Sequence, residues 1–248
     1  MGTTLLDDGK KICKPPYDAA ALRQAYHEIL DDAFWHIVED VHDYTQLSIE
    51  ALWGLVEAVR YVVRAGIPGD LVECGVYYGG STRAVIRTLQ SLGESGRRVF
   101  MYDSFAMFTG PQAEDDVTFD GRAISGRRER FRDVAVANVQ ELGYPDGLLH
   151  VVEGNVEESL PRHTHRAIAL LRLDTDTYHS TRAELDYLFP AVSPGGVLIV
   201  DDYGHARGAR RAVDEYFATV GGPILLNRTS FTCRMGIKVV GGGPAREG

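Results

Sequence analysis

From Asp70 onward, short apolar runs alternate with helical patterns, and this alternation limits the chain to few folds. The runs lie at residues 70–76, 97–105, 148–155, 167–176 and 195–203. Helical patterns lie between and after them, at 81–94, 128–143, 180–192 and 207–220. Nearly continuous Val, Leu and Ile runs are typical of strands that are covered on both faces. The alternation therefore predicts a doubly wound, mainly parallel α/β sheet.

A long amphipathic helix is predicted ahead of the first strand. Its apolar positions recur at three- and four-residue spacing, at Leu52, Val56, Val59 and Val63. Such periodicity puts one apolar face on a helix. Asp43, with Gln46 three residues later, is expected to cap the start of this helix, and Gly66 and Pro68 are expected to end it.

The same patterns divide the chain into three parts. Residues 1–68 are expected to form a helical extension that supplies lid or oligomer contacts, residues 69–240 to form the core, and residues 241–248 to be disordered. Residues 224–240 read as a strand pair with no helix between, which predicts an antiparallel edge strand. Within the core, the irregular segment 106–127 is expected to act as a lid.

Composition excludes several classes of function. The formal net charge is -9, whereas binding of nucleic acids or anionic membranes needs clustered Lys and Arg. No apolar stretch of about 18 residues occurs, so no membrane span is expected. Three cysteines are too few and too scattered for a disulfide framework or a cysteine zinc site. Without a signal-peptide pattern at its start, the chain is expected to be cytoplasmic.

The loop after the first apolar run carries an acid followed by glycines. Glu73 ends the run, and Gly75, Gly79 and Gly80 lead into a helix that begins near Ser81. This spacing differs from the G-x-G-x-x-G pattern that places a dinucleotide pyrophosphate at a helix N-terminus. An acid beside the turn suits a cationic ligand such as the sulfonium of S-adenosylmethionine. The alternative is an ordinary strand-to-helix turn.

The next two runs end in further candidates for cofactor binding. Asp103 lies near the end of the second run, where an acid can accept hydrogen bonds from both ribose hydroxyls of an adenosine-type cofactor. Asp is also a common helix cap, which is the alternative for this position. Gly154 and Asn155 end the third run and are candidates to border the adenine ring, with an ordinary turn as the alternative.

Two neighbouring runs each end in a pair of acids, Asp174 and Asp176 and then Asp201 and Asp202. If the strand continues, Asp174 and Asp176 point the same way. Clustered carboxylates raise one another's pKa and coexist as anions only beside a cation. Oxygen ligands favour Mg²⁺, Ca²⁺ or Mn²⁺ over Zn²⁺. The alternative is that the later pair caps a helix and that Asp174 is a loop residue.

Histidines near these acids are candidate bases. His179 follows Asp176 closely, and His205 stands in a similar place after Asp202. His163 and His165 are expected at the surface.

Four segments, DLVECGVYYGGST, MYDSF, LRLDTDTYHST and LIVDDYG, resemble the macrocin O-methyltransferase family when taken in this order. The resemblance covers roughly residues 45–240. It implies a seven-stranded, Rossmann-like class I methyltransferase fold. It also implies S-adenosylmethionine-dependent methylation of a sugar hydroxyl on a natural product such as a glycosylated antibiotic.

The resemblance also implies roles for particular residues. The methionine end of the cofactor would be bound by Glu73, Gly75 and Gly79 with Ser81 close by, and the ribose by Asp103. Asn155 and Asp174 are further cofactor-binding candidates. Magnesium would be held by Asp174, Asp201 and Asp202, and Asp176 would be the base.

Two departures from the family pattern D-G-D-x-Y-E-S-T fall in this region. Thr175 replaces the glycine and His179 replaces the glutamate. The metal residues are intact, but the base, Asp176 or His179, and the fit of the substrate stay open.

The motifs also favour one kind of partner and disfavour other functions. The expected partner is a small-molecule glycoside acceptor, with a catechol-type phenol as the alternative. A nicotinamide-dependent oxidoreductase is disfavoured by the glycine spacing and the four acids, and a non-catalytic scaffold by the intact acids. The amphipathic N-terminal helices make a homo-oligomer the expected assembly.

Overall fold

A central sheet organises the computed structural model, which describes residues 17–106, 114, 116–124, 131–220 and 222–239. Its strands are β1 Asp70–Cys74, β2 Val99–Asp103, β3 Leu149–Glu153, β4 Ile168–Leu173, β5 Val192–Val200, β6 Asn227–Arg228 and β7 Arg234–Ile237. They form one seven-stranded sheet in the order β3-β2-β1-β4-β5-β7-β6.

Strand directions confirm the expected sheet. Strands β1 to β5 all run parallel to one another. β7 runs antiparallel to β5, and the two-residue β6 pairs antiparallel with β7 at the outer edge. The direction of chain progression reverses between β1 and β4, and in such sheets ligands bind beyond the carboxyl ends of the strands at this switch point.

Helices cover both faces of the sheet. In the described part of the chain they are α1 Ala19–Ala25, α2 Asp32–Val41, α3 Ile49–Arg64, α4 Gly80–Ser91, α5 Arg132–Gln140, α6 Val156–Ser159, α7 Tyr178–Leu188 and α8 Arg207–Thr219. Successive strand residues enter opposite apolar clusters: Leu71 packs with α2 to α5, and Val72 packs with α6 to α8. Burial of both faces explains why the strands read as continuous apolar runs.

The start of α3 differs from the prediction. Ser48, not Asp43, caps the helix, and its Oγ accepts a hydrogen bond of 3.3 Å from the Ala51 backbone N–H. Asp43 lies in a short 3₁₀ turn. The chain then becomes extended as it crosses the loop after β1, where a Cβ on Gly80 would lie 2.5 Å from the Tyr44 carbonyl carbon. Because of this crossing, α3 begins only after Ser48.

The helices before residue 68 share the core of the sheet. Phe34 of α2 and Leu52 and Leu55 of α3 are buried in the same apolar cluster as Leu71 of β1. In the described ranges no helix has the length and apolar character needed to cross a membrane. Lid and oligomer contacts of these helices stay predictions.

The predicted lid is described only in part, because residues 107–113, 115 and 125–127 of that segment, like 240–248 at the end of the chain, lie outside the described residues. The described stretch 116–124 is anchored to the core. Thr118 pairs with Ala206 at the start of α8, and the buried Asp116 accepts a hydrogen bond of 2.8 Å from the Tyr178 backbone N–H.

Candidate active site

A cavity of about 480 Å³ opens at the carboxyl ends of the parallel strands, where the topology places ligand sites. Its walls come from the loops after β1 to β5 and from residues 44–47, which precede α3. Most of the candidate site residues named from the sequence line it: Gly75, Gly80, Ser81, Asp103, Asn155, Asp174, Asp176, Asp201, Asp202 and His205. The cavity therefore brings most of the predicted site together.

The turn after β1 needs glycine because other chain segments lie against it. Gly75 has a positive φ of 82°, and a Cβ there would lie 1.9 Å from the Asp174 carbonyl oxygen. Gly79 caps α4 in the left-handed conformation but does not line the cavity. The turn thus brings the loop after β1 against the loop after β4.

Asp103, at the end of β2, binds the backbone of the glycine turn. Its Oδ2 accepts hydrogen bonds from the N–H groups of Val76 (2.8 Å) and Tyr77 (3.1 Å), and its Oδ1 from Phe105 (2.7 Å). Burial raises the pKa of this carboxyl in spite of these bonds. Because a carboxylate offers about four lone-pair sites, Asp103 can still accept from a ligand in the cavity.

Glu73 faces inward instead of lining the cavity. It accepts a short hydrogen bond from the Thr82 hydroxyl and one of 2.6 Å from Arg172 Nη1. Its expected contact with the cofactor therefore stays a prediction, and the structure shows a link to the acid cluster through Arg172.

Three carboxylates lie close together in the part of the cavity formed by the loops after β4 and β5, those of Asp174, Asp201 and Asp202. Each offers a carboxylate oxygen that lies within 4.8 Å of the other two. Arg172 Nη2 lies 2.8 Å from Asp174 Oδ2 and 3.3 Å from Asp201 Oδ2. Asp201 Oδ1 is buried and has no hydrogen-bond partner within the described residues. This unsatisfied oxygen, in a set of hard oxygen donors, fits a divalent cation such as Mg²⁺, Ca²⁺ or Mn²⁺.

The pKa values of the acids reflect their burial and their closeness to one another. Burial raises the pKa of Asp174 and Asp202 well above the ordinary range, and the neighbouring carboxylates raise both further. Burial, followed by the charge of Asp174, raises the pKa of Asp176 to about 7. Among the residues that the structure describes, the buried guanidinium of Arg172 is the cation paired with this group of acids, so additional positive charge would stabilise their ionised forms.

The loop after β4 differs in geometry from the expected strand continuation. β4 ends at Leu173, so strand alternation does not orient Asp174 and Asp176. Asp176 instead adopts a left-handed φ of 64°, and its N–H donates to Asp202 Oδ2 at 3.3 Å. A turn, not a strand, directs both acids into the cavity.

His179 does not join the cavity. α7 begins at Tyr178, so His179 lies in the first turn of the helix, where it is exposed and contacts the ring of Tyr178. His205 does line the cavity. His165 is not at the surface as expected, because its buried ring bridges Asp70 (2.8 Å) and the Tyr102 hydroxyl (2.9 Å).

Two polar residues near the acids were missed in the sequence. Arg172 stands between Leu171 and Leu173 in an apolar run, and a charge at a buried strand position was the available signal. Glu184 is fully buried in α7 behind the loop after β4, and burial raises its pKa well above the ordinary range. Its place beside Leu185 in an amphipathic helix gave only a weak signal.

Comparison with known sequences decides the family. The sequence model described as Macrocin-O-methyltransferase (TylF) matches residues 39–226, which is more than half of the chain. The chain belongs to the macrocin O-methyltransferase family. It is therefore an O-methyltransferase, and the resemblance seen in its motifs is confirmed. Family membership removes the support for the nicotinamide-dependent and scaffold alternatives.

Two curated relatives come from Streptomyces species. The 8-demethyl-8-(2,3-dimethoxy-alpha-L-rhamnosyl)-tetracenomycin-C 4'-O-methyltransferase of Streptomyces olivaceus is 34% identical over 72% of this chain and 69% of its own length. Demethyldecarbamoylnovobiocin O-methyltransferase of Streptomyces niveus is 33% identical over 71% of this chain and 68% of its own.

Solved structures support the fold. The O-methyltransferase NovP superposes with a TM-score of 0.68 at 24% identity, over 90% of this chain and all (100%) of that one. An O-methyltransferase from Bacillus cereus, solved with S-adenosylhomocysteine, has a TM-score of 0.55 at 17% identity over 88% of this chain and 97% of its own. The fold is thus that of S-adenosylmethionine-dependent methyltransferases.

Proposed function

We propose that this enzyme methylates a sugar hydroxyl of a small-molecule glycoside and uses a divalent cation held by Asp174, Asp201 and Asp202. The observation that carries the proposal is the convergence of these three carboxylates in the same cavity as the glycine turn and Asp103. The Streptomyces olivaceus relative, whose name specifies methylation of a rhamnosyl compound, supports a sugar as the acceptor.

The cavity has two chemically different ends. Gly75, Ser81, Asp103 and Asn155 line the end near β1 to β3, and we assign the methyl donor to it. The acids and His205 line the end near β4 and β5, and we assign the acceptor to that side. Donor and acceptor would then meet above the carboxyl ends of β1 and β4, where Gly75 lies against Asp174.

Arg172 prepares the carboxylates for a cation. Its guanidinium engages Oδ2 of Asp174 and of Asp201, which leaves Asp201 Oδ1 unsatisfied within the cluster. A bound divalent ion supplies positive charge that favours the alkoxide of the acceptor and orients it. Arg172 also binds Glu73, so the cluster is fixed to β1 as well as to β4.

Asp176 is the base that we assign to the acceptor hydroxyl. It lines the acceptor end, where its carboxylate can accept the proton of a bound hydroxyl. His179, the alternative from the sequence, is exposed and does not line the cavity. Exclusion of water falls to residues 44–47, which form one wall above the glycine turn.

The function is tested with a panel of acceptors. Methyl transfer from S-adenosylmethionine is measured with glycosides that bear free vicinal hydroxyls and with catechols, each with Mg²⁺ and with a chelator. We expect turnover of a glycoside that falls to background in chelator and returns with Mg²⁺ or Mn²⁺. Turnover of catechols alone would favour the phenol alternative, and turnover that withstands chelator would reject the metal.

Replacement of Asp176 by Asn separates the two candidate bases. Asn tolerates the left-handed backbone of this position, so the turn should persist while the proton acceptor is lost. We expect kcat to fall by about 10²- to 10⁴-fold, with the affinity for S-adenosylhomocysteine retained. His179→Asn should keep kcat close to that of the unmodified enzyme. A large loss in the His179 variant and none in the Asp176 variant would reverse the assignment.

A further inference from the structure

Thr175 connects the loop after β4 to the helix that follows it. This residue lies between Asp174 and Asp176. Its hydroxyl donates a hydrogen bond of 2.9 Å to Glu184 Oε1 on α7. The Thr175 side chain thus has a defined partner outside the loop.

Glu184 is an unusual partner because it is completely buried. Its relative exposure is 0%, it does not line the cavity, and its second oxygen, Oε2, has no hydrogen-bond partner in the part of the chain that is described. A buried carboxyl with an unsatisfied oxygen costs free energy of folding. An apolar residue at position 184 would avoid this cost. The adjacent Leu185 is buried in an apolar cluster, so this part of α7 has apolar surroundings.

Other contacts hold the residues on either side of Thr175, since Arg172 Nη2 lies 2.8 Å from Asp174 Oδ2 and the Asp176 N–H donates to Asp202 Oδ2 at 3.3 Å. The Asp174 N–H donates to the Cys74 carbonyl (2.9 Å), and the Thr177 N–H donates to the Thr175 carbonyl (2.8 Å). Between them Asp176 holds a left-handed conformation that costs a non-glycine residue about 1 kcal/mol or more. A side-chain bond at Thr175 acts at the middle of this turn, between the two acids.

We propose that Glu184 is a positioning residue that acts through Thr175 to hold Asp174 and Asp176 in the arrangement needed for divalent-cation binding. The inference rests on the proposed function, because it assigns a second layer of support to the same acids. Groups that orient metal ligands from behind commonly change metal affinity by about 10- to 100-fold when they are removed.

Two substitutions of Thr175 test the hydroxyl. Thr175→Val removes the donor at nearly constant shape, and Thr175→Ser keeps it. By calorimetry with Mn²⁺ we expect affinity to fall about 10- to 100-fold in the Val variant and to stay near the unmodified value in the Ser variant. Affinity for S-adenosylhomocysteine should change little in either. Thr88→Val is the matched control, because this buried hydroxyl bonds to Ala84 within α4, outside the cavity.

A double substitution separates positioning from folding. Thr175→Val combined with Glu184→Leu removes both polar partners, and exchange of both for apolar groups restores much of the stability that one unpaired partner loses. We expect this variant to melt near the unmodified protein and yet to bind Mn²⁺ as weakly as Thr175→Val alone. Glu184→Gln, which keeps a carbonyl oxygen for Thr175, should bind Mn²⁺ normally.

The outcomes distinguish the inference from the function beneath it. Normal Mn²⁺ affinity in a folded Thr175→Val variant, or recovery of affinity together with melting temperature in the double variant, would overturn the positioning role while the metal function stands. If the unmodified enzyme binds no divalent cation in the presence of S-adenosylhomocysteine, both fail.

Discussion

Asp201→Asn is expected to abolish methyl transfer while S-adenosylhomocysteine still binds. Asp201 brings one oxygen to Arg172 at 3.3 Å and leaves the other, Oδ1, buried without a partner inside the acid cluster. The amide removes a full negative charge and replaces one oxygen with a hydrogen-bond donor, which a cation cannot use as a ligand. Because Asp103 and the glycine turn are untouched, the donor end of the cavity keeps its shape.

The comparison needs three measurements and one control. Calorimetry gives the affinities for Mn²⁺ and S-adenosylhomocysteine, and a methyl-transfer assay gives kcat. Asp214→Asn makes the same change of charge on α8, where Asp214 pairs with Arg210 and the Tyr203 hydroxyl, and should leave all three values near normal. Full activity of the Asp201 variant in chelator would contradict the metal mechanism.

Arg172→Met is expected to destabilise the fold more than any surface substitution. Arg172 is 2% exposed and contacts Glu73, Asp174 and Asp201. Breaking a buried ion pair from one side leaves uncompensated charge and typically costs about 3–5 kcal/mol. The neighbouring acids here would be left facing one another. The free energy of unfolding should therefore decrease by about 3–5 kcal/mol, or the variant should fail to fold.

A divalent ion should recover part of this loss, since it binds the folded variant and supplies the missing charge. Urea unfolding with and without Mn²⁺ measures both effects. Arg210→Met, which removes one side of an exposed pair with Asp214, should cost less than about 1 kcal/mol. If the Arg172 variant were as stable as this control, the guanidinium would not be the counter-charge of the cluster.

Much of the fold was open to prediction because it depends on local patterns. Runs buried on both faces and separated by helical periodicity leave few alternatives to a doubly wound sheet, and the antiparallel β7 followed from two strands with no helix between them. The cap of α3 was predicted wrongly. Asp43 and Gln46 satisfy the local rule, but the crossing of the chain over Gly80 is a tertiary contact that no local rule contains.

The candidate site also combines contacts that the sequence could predict with contacts that it could not. Convergence of Asp174, Asp201 and Asp202 could be predicted because parallel strands end at one edge, so acids at strand ends meet. The partners of Arg172 could not, since Glu73 is 99 residues away in the sequence and reaches it only through sheet pairing. The bond between Thr175 and Glu184 likewise depends on how α7 packs beneath the loop.

The wall formed by residues 44–47 has a consequence for any shortened version of this enzyme. Those residues precede α3, yet they line the cavity, and Tyr44 and Thr45 lie against Gly80. A chain that began at residue 69 would lose this side of the pocket, which would then admit bulk water, and would also lose α2 and α3, whose apolar residues are buried in the same cluster as Leu71 of β1. The smallest catalytic unit therefore starts upstream of Tyr44, well before the first strand.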